Sequence, residues 1–273
     1  MQETTMQTLG FIGLGSQGAP MARRMMAAGY ELVLWARRPQ SLEPFANSAA
    51  QYAEDINALA QQVDYCGLCV VDDDGVREIC EQLIPAMRPG TCIVVHSTVT
   101  PALCQELAGT AQARGVTLLD APVSGGGTAA AAGTLTVMLG GTEAAVERVR
   151  PIQQAFSNDI IHLGAVGSGQ QAKLVNNNLM AANLALAHHA LQLADALGMA
   201  REEFIRLVQG SSGRSFAFEV CARMTTPTEF QHGANLLAKD VRLLGESSND
   251  HVSYATLRDV ANGFLQLALH HET

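Results

Sequence analysis

Residues 8–29 read "TLGFIGLGSQGAPMARRMMAAG". The stretch opens as an apolar run of strand length, breaks at three glycines, and continues with apolar residues at helical spacing until Gly29. Gly13-Leu14-Gly15-Ser16-Gln17-Gly18 matches the pattern G-x-G-x-x-G between a strand and a helix, the context in which that pattern has a mechanism. The first glycine allows the tight turn, the second lets a pyrophosphate approach, and the third lets helix and strand pack. The N–H groups of the helix's first turn then face the phosphates.

Outward from this turn the same alternation repeats. "YELVLWA" (30–36), "YCGLCVV" (65–71), "TCIVVHS" (91–97), "VTLLDAPV" (116–123), "GTLTVMLGG" (133–141) and "DIIHLG" (159–164) read as strands. Helices are predicted between several of them, over 76–87 and 101–114 among others. Strands this apolar, separated by helices, indicate a parallel sheet covered on both faces. After residue 164 the pattern changes. From 170 to 197 the chain carries neither Pro nor Gly, and Gly198 stops the run. A helix of some thirty residues would span about 45 Å, enough to join two domains. The remainder reads as helices. The expected architecture is an α/β Rossmann-type parallel sheet domain over 1–164, then an all-α domain over 165–273, joined by the long helix.

The end of the second strand bears on cofactor identity. An acid there would hold the ribose hydroxyls of NAD. This chain has Trp35-Ala36-Arg37-Arg38-Pro39 instead. Two guanidiniums suit a 2′-phosphate, so NADPH/NADP+ is expected, with NAD still possible.

Between Asp159 and Asp195 the one formally charged side chain is Lys173. Burying a lysine costs free energy unless it is paired or discharged. Lys173 shares a helical stripe with Gln170 and Asn177, whose amides could orient an ammonium without neutralising it. Such a lysine can exchange a proton with a substrate oxygen near neutral pH; the plainer reading is a lysine snorkelling at a helix start. Three further segments favour the first reading. Asp120-Ala-Pro-Val-Ser124-Gly125-Gly126-Gly127 ends a strand, where a serine hydroxyl and glycine N–H groups could hold a carboxylate. Ser97-Thr98-Val-Thr-Pro101 ends another, although helix capping before Pro101 accounts equally for Ser97 or Thr100. Lys239-Asp240 sits on a late helix, where an exposed ion pair is the ordinary expectation.

Composition narrows the rest. Hydrophobic residues make up 48% and charged ones 16%, a balance suited to a globular chain with much hidden surface. A net charge of −9 argues against nucleic acid or an anionic membrane as partner. There is no signal-peptide pattern and no long apolar run, so a cytoplasmic location is expected. Cys66-Gly-Leu-Cys69 has redox spacing but lies in a strand-like run, which reads as buried reduced thiols. No residues have metal-ligand spacing; His188-His189 and His270-His271 are adjacent pairs that point two ways from their helices.

Together, "GFIGLGSQGAPMA" (10–22), "STVTP" (97–101), "DAPVSGGG" with "GTLTVMLGG" (120–141), "GSGQQAKLVNN" (167–177) and "AKDVRLL" (238–244) resemble the β-hydroxyacid dehydrogenases. That family includes 3-hydroxyisobutyrate dehydrogenase, tartronate semialdehyde reductase and the glyoxylate and succinic semialdehyde reductases, with 6-phosphogluconate dehydrogenase a more distant member. The resemblance implies Lys173 as catalytic acid/base, and Ser124, Gly125, Gly126 and Asn177 as groups that bind a small carboxylate substrate. It implies that the 13–18 loop, the backbone at Val70 and Val71, and Thr98 and Lys239 near the nicotinamide contact the cofactor. It also implies a homodimer or homotetramer formed through the helical domain. Relatives usually carry Asp at the position of His96, and such differences leave the substrate open. Rival readings are an imine reductase on the same architecture and a non-catalytic module that senses NADPH.

Overall fold

The computed structural model describes residues 8–248 and 251–269. Residues His270 and His271 lie outside them. The chain divides into two compact units, Met1–Lys173 and Leu174–Thr273.

In the first unit, β1 (Thr8–Ile12) leads through the glycine turn to α1 (Gly18–Ala27) and β2 (Glu31–Trp35). A 3-10 turn, β3 (Gln51–Tyr52), α2 (Ile56–Gln62), β4 (Tyr65–Leu68), α3 (Asp73–Ala86), β5 (Cys92–Val95), α4 (Pro101–Gln112) and β6 (Thr117–Asp120) follow. Then come β7 (Val123–Ser124), α5 (Gly126–Ala132), β8 (Leu135–Gly140), α6 (Glu143–Gln153) and β9 (Ser157–Gly164). Among the described residues one sheet takes all nine strands, in the order β3-β2-β1-β4-β5-β6-β8-β7, with β9 also pairing β8. From β3 to β6 every pairing is parallel.

The sequence pattern did not show what happens next. The segment read as one strand over 116–123 is two, β6 and β7, and β8 runs antiparallel to both. The break falls at Ala121-Pro122, and proline cannot donate to a ladder. The ladder is interrupted there, and the reversed strand is β8, which lies between β6 and β7 in the sheet.

Side chains alternate across the sheet as the period of two requires. Leu9 and Phe11 of β1 join Met21, Met25 and Phe156 in the core on one face, while Ile12 joins Leu59, Leu83 and Leu103 on the other. Strand order reverses between β1 and β4, so the chain leaves those neighbouring strands in opposite directions. Open α/β sheets bind ligands in that crevice.

A buried polar chain runs through the core of the first face. His96 is 2% exposed, and the Ala121 carbonyl accepts from its Nδ1 at 2.8 Å. Nδ1 therefore carries the proton, and Nε2 accepts from the Tyr65 hydroxyl at 3.0 Å. The Tyr65 oxygen in turn accepts from Gln153 Nε2 at 3.1 Å. Phe11 stacks on the imidazole and Phe156 meets it edge-on.

The second unit begins within α7 (Ser168–Ala196), a single helix of 29 residues. It continues with α8 (Arg201–Gln209), α9 (Phe216–Ala222), α10 (Gln231–Ser248) and α11 (Val252–Leu269). Its core packs Leu184 and Leu191 of α7 against Phe218, Leu237 and Phe264. Among the described residues no helix is long and apolar enough to cross a membrane. All six cysteines are free, and burial pushes the Cys66 thiol well above its usual range.

Burial lowers the pKa of His96 to about 4. The unfolded chain, near 6.5, then binds the extra proton between the two values, so stability is whole above pH 6.5 and falls as pH drops toward 4. The full effect is of order 3 kcal/mol. Urea unfolding of wild type should weaken between pH 7 and pH 4.5 more steeply than that of His96→Gln, and equal slopes would contradict this account.

Candidate functional site

The glycine turn is built by close backbone approach. A Cβ at Gly18 would run into the carbonyl oxygen of Gly13, and one at Gly13 into the carbonyl of Cys69. Gly13 also has φ +100°, a region that disfavours side chains. Gly15 differs: nothing lies within 4 Å of where its Cβ would stand. The space beside it is open to a ligand. The N-cap of α1, Gln17, makes no side-chain cap hydrogen bond, and the first turn carries no acid. An anion at this helix end would meet N–H groups and the positive end of the dipole.

Beside the turn lies a cavity of about 590 Å³, lined by Gly13, Gly15, Arg37, Arg38, Val70 and Val71 among others. These residues fit a nicotinamide dinucleotide: an open glycine and bare helix end for the pyrophosphate, and two guanidiniums at the end of β2. Asp72, Asp74 and Glu78 also line the cavity. Arg37 Nη2 stands 3.8 Å from Glu78 Oε2, with both side chains largely exposed.

The loops at neighbouring strand ends are tied together. Val70 N donates to Ser97 Oγ at 2.7 Å, so the buried Ser97 holds the loop after β4 rather than capping α4. Capping falls to Thr100, whose Oγ1 accepts from Leu103 N and donates to Asp73. Thr98 lies between the two and is half-buried. Ser124 ends β7 opposite Thr136, and Gly125 and Gly126 follow with φ of +126° and +71°. A Cβ at Gly127 would stand 2.6 Å from the Ser16 carbonyl oxygen, so this glycine loop packs directly on the cofactor turn.

Lys173 is in the second turn of α7 and is 8% exposed. The start of this helix is held from elsewhere in the first unit. Asp120, with no exposed surface, accepts from Gly167 N at 2.7 Å and from Gln170 N at 2.8 Å. Burial raises the pKa of its carboxyl, and these backbone hydrogen bonds oppose that rise. Gly140 and Gly169 leave room for the carboxylate, since a Cβ on either would press on it. The Gln170 side chain donates to the Ser97 carbonyl at 2.8 Å and accepts from Val99 N at 3.2 Å. Both ends of the Gln170 amide thus bond backbone.

In the second unit Asn177, four residues beyond Lys173 on α7, donates to Asp240 Oδ2 at 2.5 Å. Asp240 also pairs with Lys239 Nζ at 3.3 Å, the side chains being 4% and 18% exposed. The carboxylate of this pair is therefore buried and the ammonium half-buried, rather than both solvated. The sequence marks Asp240 as the ion-pair partner of Lys239 but gives no sign of its bond to Asn177, nor of the bonds that Asp120 makes.

Comparison with known proteins covers nearly the whole chain. Residues 8–164 match the family model for the NAD binding domain of 6-phosphogluconate dehydrogenase, and residues 167–273 that for the NAD-binding domain of NADP-dependent 3-hydroxyisobutyrate dehydrogenase. An NAD-dependent L-serine dehydrogenase of Pseudomonas aeruginosa is 32% identical, over 97% of this chain and 93% of its own. The Mycobacterium tuberculosis 3-hydroxyisobutyrate dehydrogenase, solved with L-serine, superposes with a TM-score of 0.88 at 29% identity, covering 97% of this chain and 95% of that one. An imine reductase from Pseudomonas sp. gives a TM-score of 0.66 at 18% identity, covering 97% and 99%, which shows a shared fold.

The glycines separate fold from ligand binding. Gly15→Ala should leave the melting temperature of the cofactor-free protein within about 2 °C of wild type yet weaken dinucleotide binding at least tenfold, of order 1.4 kcal/mol. Gly18→Ala should lower the melting temperature itself, because its neighbour is backbone. Thermal melts and fluorescence titration of the two variants check the contrast.

Proposed function

This chain belongs to the β-hydroxyacid dehydrogenase family, and from that premise we propose that it is an NADP(H)-preferring enzyme acting on a short 3-hydroxyacid or its semialdehyde, with Lys173 as general acid/base. The observation that carries this reading is one buried amine, Lys173, on a helix whose first turn is hydrogen-bonded to the strand-end loops. A bound nicotinamide supplies the hydride chemistry. In the reducing direction the Lys173 ammonium gives a proton to the substrate oxygen; in oxidation the neutral amine takes the hydroxyl proton. Ser124 and the N–H groups of Gly125 and Gly126 hold the substrate carboxylate, which limits the length of acid that fits. Asn177, oriented by Asp240, supports the substrate. Thr98 and Lys239 take the nicotinamide end, with Val70 and Val71 along the dinucleotide.

The P. aeruginosa relative is named for L-serine and the mycobacterial structure contains it, which supports small 3-hydroxyacids as the class to screen. A panel of 3-hydroxyisobutyrate, L-serine, glycerate, succinic semialdehyde and glyoxylate, assayed with both cofactors, should show turnover of at least one. Lys173→Ala should lower kcat by a factor on the order of 10² to 10⁴ with dinucleotide affinity unchanged. Turnover near wild type in that variant refutes the assignment.

The cofactor preference rests on the two arginines at the end of β2. The matched family model is described as NADP-dependent, whereas the P. aeruginosa relative is named NAD-dependent, so this chain's own residues decide. Replacing Arg37 and Arg38 together by Ala should raise KM for NADPH about tenfold to hundredfold and change that for NADH little. Steady-state kinetics with the two cofactors reads this directly, and equal losses for both would remove the 2′-phosphate role.

A further inference from the structure

We propose that Asp120 and Gln170 act together as positioning residues, a clamp that fixes the catalytic turn of α7 against the loop carrying Thr98. The inference rests on the reading of Lys173 as acid/base and deepens it.

Helix α7 opens without a side-chain cap of its own. The Gly167 carbonyl accepts from Gln171 N at 3.0 Å, which makes Gly167 the residue that opens α7. Helices commonly open on Ser, Thr, Asp or Asn, whose side chain takes up an N–H of the first turn. Glycine has no such group. Its backbone disfavours a residue that has one, since its φ is +96° and a Cβ there would stand 3.3 Å from the Pro101 carbonyl oxygen. The acceptor comes instead from Asp120, 47 residues earlier, one oxygen on Gly167 N and the other on Gln170 N. A carboxylate that bridges two N–H groups of one turn fixes that turn in both translation and rotation. A local cap holds a helix to its own loop. This one holds the helix to the end of β6.

Gln170 adds the second constraint. Its amide donates to the Ser97 carbonyl and accepts from Val99 N, one bond on each side of Thr98. Ser97 in turn takes Val70 N. Gln170 is itself 0% exposed, and Lys173 follows it by three residues on the same helix. Backbone and side chain of a single residue therefore link the turn leading to the amine, the loop of Thr98 and the loop of Val70. Proton transfer requires the amine within hydrogen-bond reach of the reacting oxygen, and small misplacements of a reacting group cost large factors in rate. A clamp of this kind governs kcat rather than binding.

The test uses the full-length enzyme with Asp120→Asn, which turns one acceptor into a donor facing an N–H, and the milder Gln170→Met, which keeps volume and loses both bonds. Hydrogen exchange on the cofactor-free protein reads the clamp without any substrate. Amides 167–171 should exchange about tenfold faster in Asp120→Asn, and those at 97–99 in Gln170→Met, with distant helices unchanged. Turnover is then read on the panel substrate that wild type converts fastest. Both variants should lose about tenfold to hundredfold in kcat, with NADPH affinity and substrate KM within about threefold of wild type. The isotope effect with NADPH deuterated at the transferring position should rise, because chemistry becomes limiting.

Unchanged exchange at these amides in Gln170→Met overturns the clamp, even if Asp120→Asn fails to fold. Faster exchange with wild-type kcat and isotope effect, beside an inactive Lys173→Ala, overturns its role in positioning. An active Lys173→Ala, or no turnover across the panel, defeats the assignment of the lysine instead, and the exchange result still decides whether the clamp exists.

Discussion

Asp120 is a carboxylate without exposed surface, and what surrounds it shows how the first unit is held. Taking such a group out of water is costly, and that cost pulls its pKa upward. Against it stand backbone N–H donors at the positive end of a long helix. The acid has room only because residues 140 and 169 are glycines. Three segments distant in sequence, at 120, 140 and 167–170, must therefore meet correctly or leave a buried charge without donors. A group that is expensive when misplaced specifies one arrangement strongly. The second unit repeats the device with Asp240, which draws Asn177 and Lys239 to one buried carboxylate.

Charge at the dinucleotide cavity follows a different rule. There the groups are exposed, and their attractions are screened and individually weak. Arg37 reaches Glu78 at 3.8 Å, a distance and exposure at which the pair adds little to stability. That weakness leaves the guanidinium free to change partner. A dianionic phosphate offers more charge and more acceptor oxygens than a carboxylate. The acids at 72, 74 and 78 offset the charge of the two arginines that line the same cavity.

Much of this was legible in the sequence, for local reasons. The strand, glycine turn and helix at 8–29 carry their own signals, and 28 residues without Gly or Pro announce α7. Lys173 stood out because its neighbourhood has no other charge. The reversal at β8 was not legible, since an apolar strand reads the same whichever way it enters a sheet. The clamp was hidden for another reason. Asp120 was quoted as the start of a loop whose serine and glycines drew attention, and its partners lie 47 and 50 residues away. Gln170 was placed on the right face, but spacing on a helix tells what can meet and not what the amide prefers. Two backbone groups of the 97–99 loop, otherwise buried without partners, claim it first.

The Tyr65, His96 and Gln153 chain belongs to the same class of unreadable pairing, with separations of 31 and 88 residues. It also bears on how the sheet turns. The imidazole accepts from tyrosine on one side and donates to the Ala121 carbonyl on the other. Ala121 lies where β6 gives way to Pro122 and the ladder is interrupted, so its carbonyl needs a donor that the sheet cannot provide there. A carboxylate at position 96 could not donate to that carbonyl while ionised. The histidine therefore supplies a proton that an ionised acid there would lack. Through Ala121 it reaches the segment that ends in Ser124 and the glycines, which makes a buried core residue part of what shapes that loop.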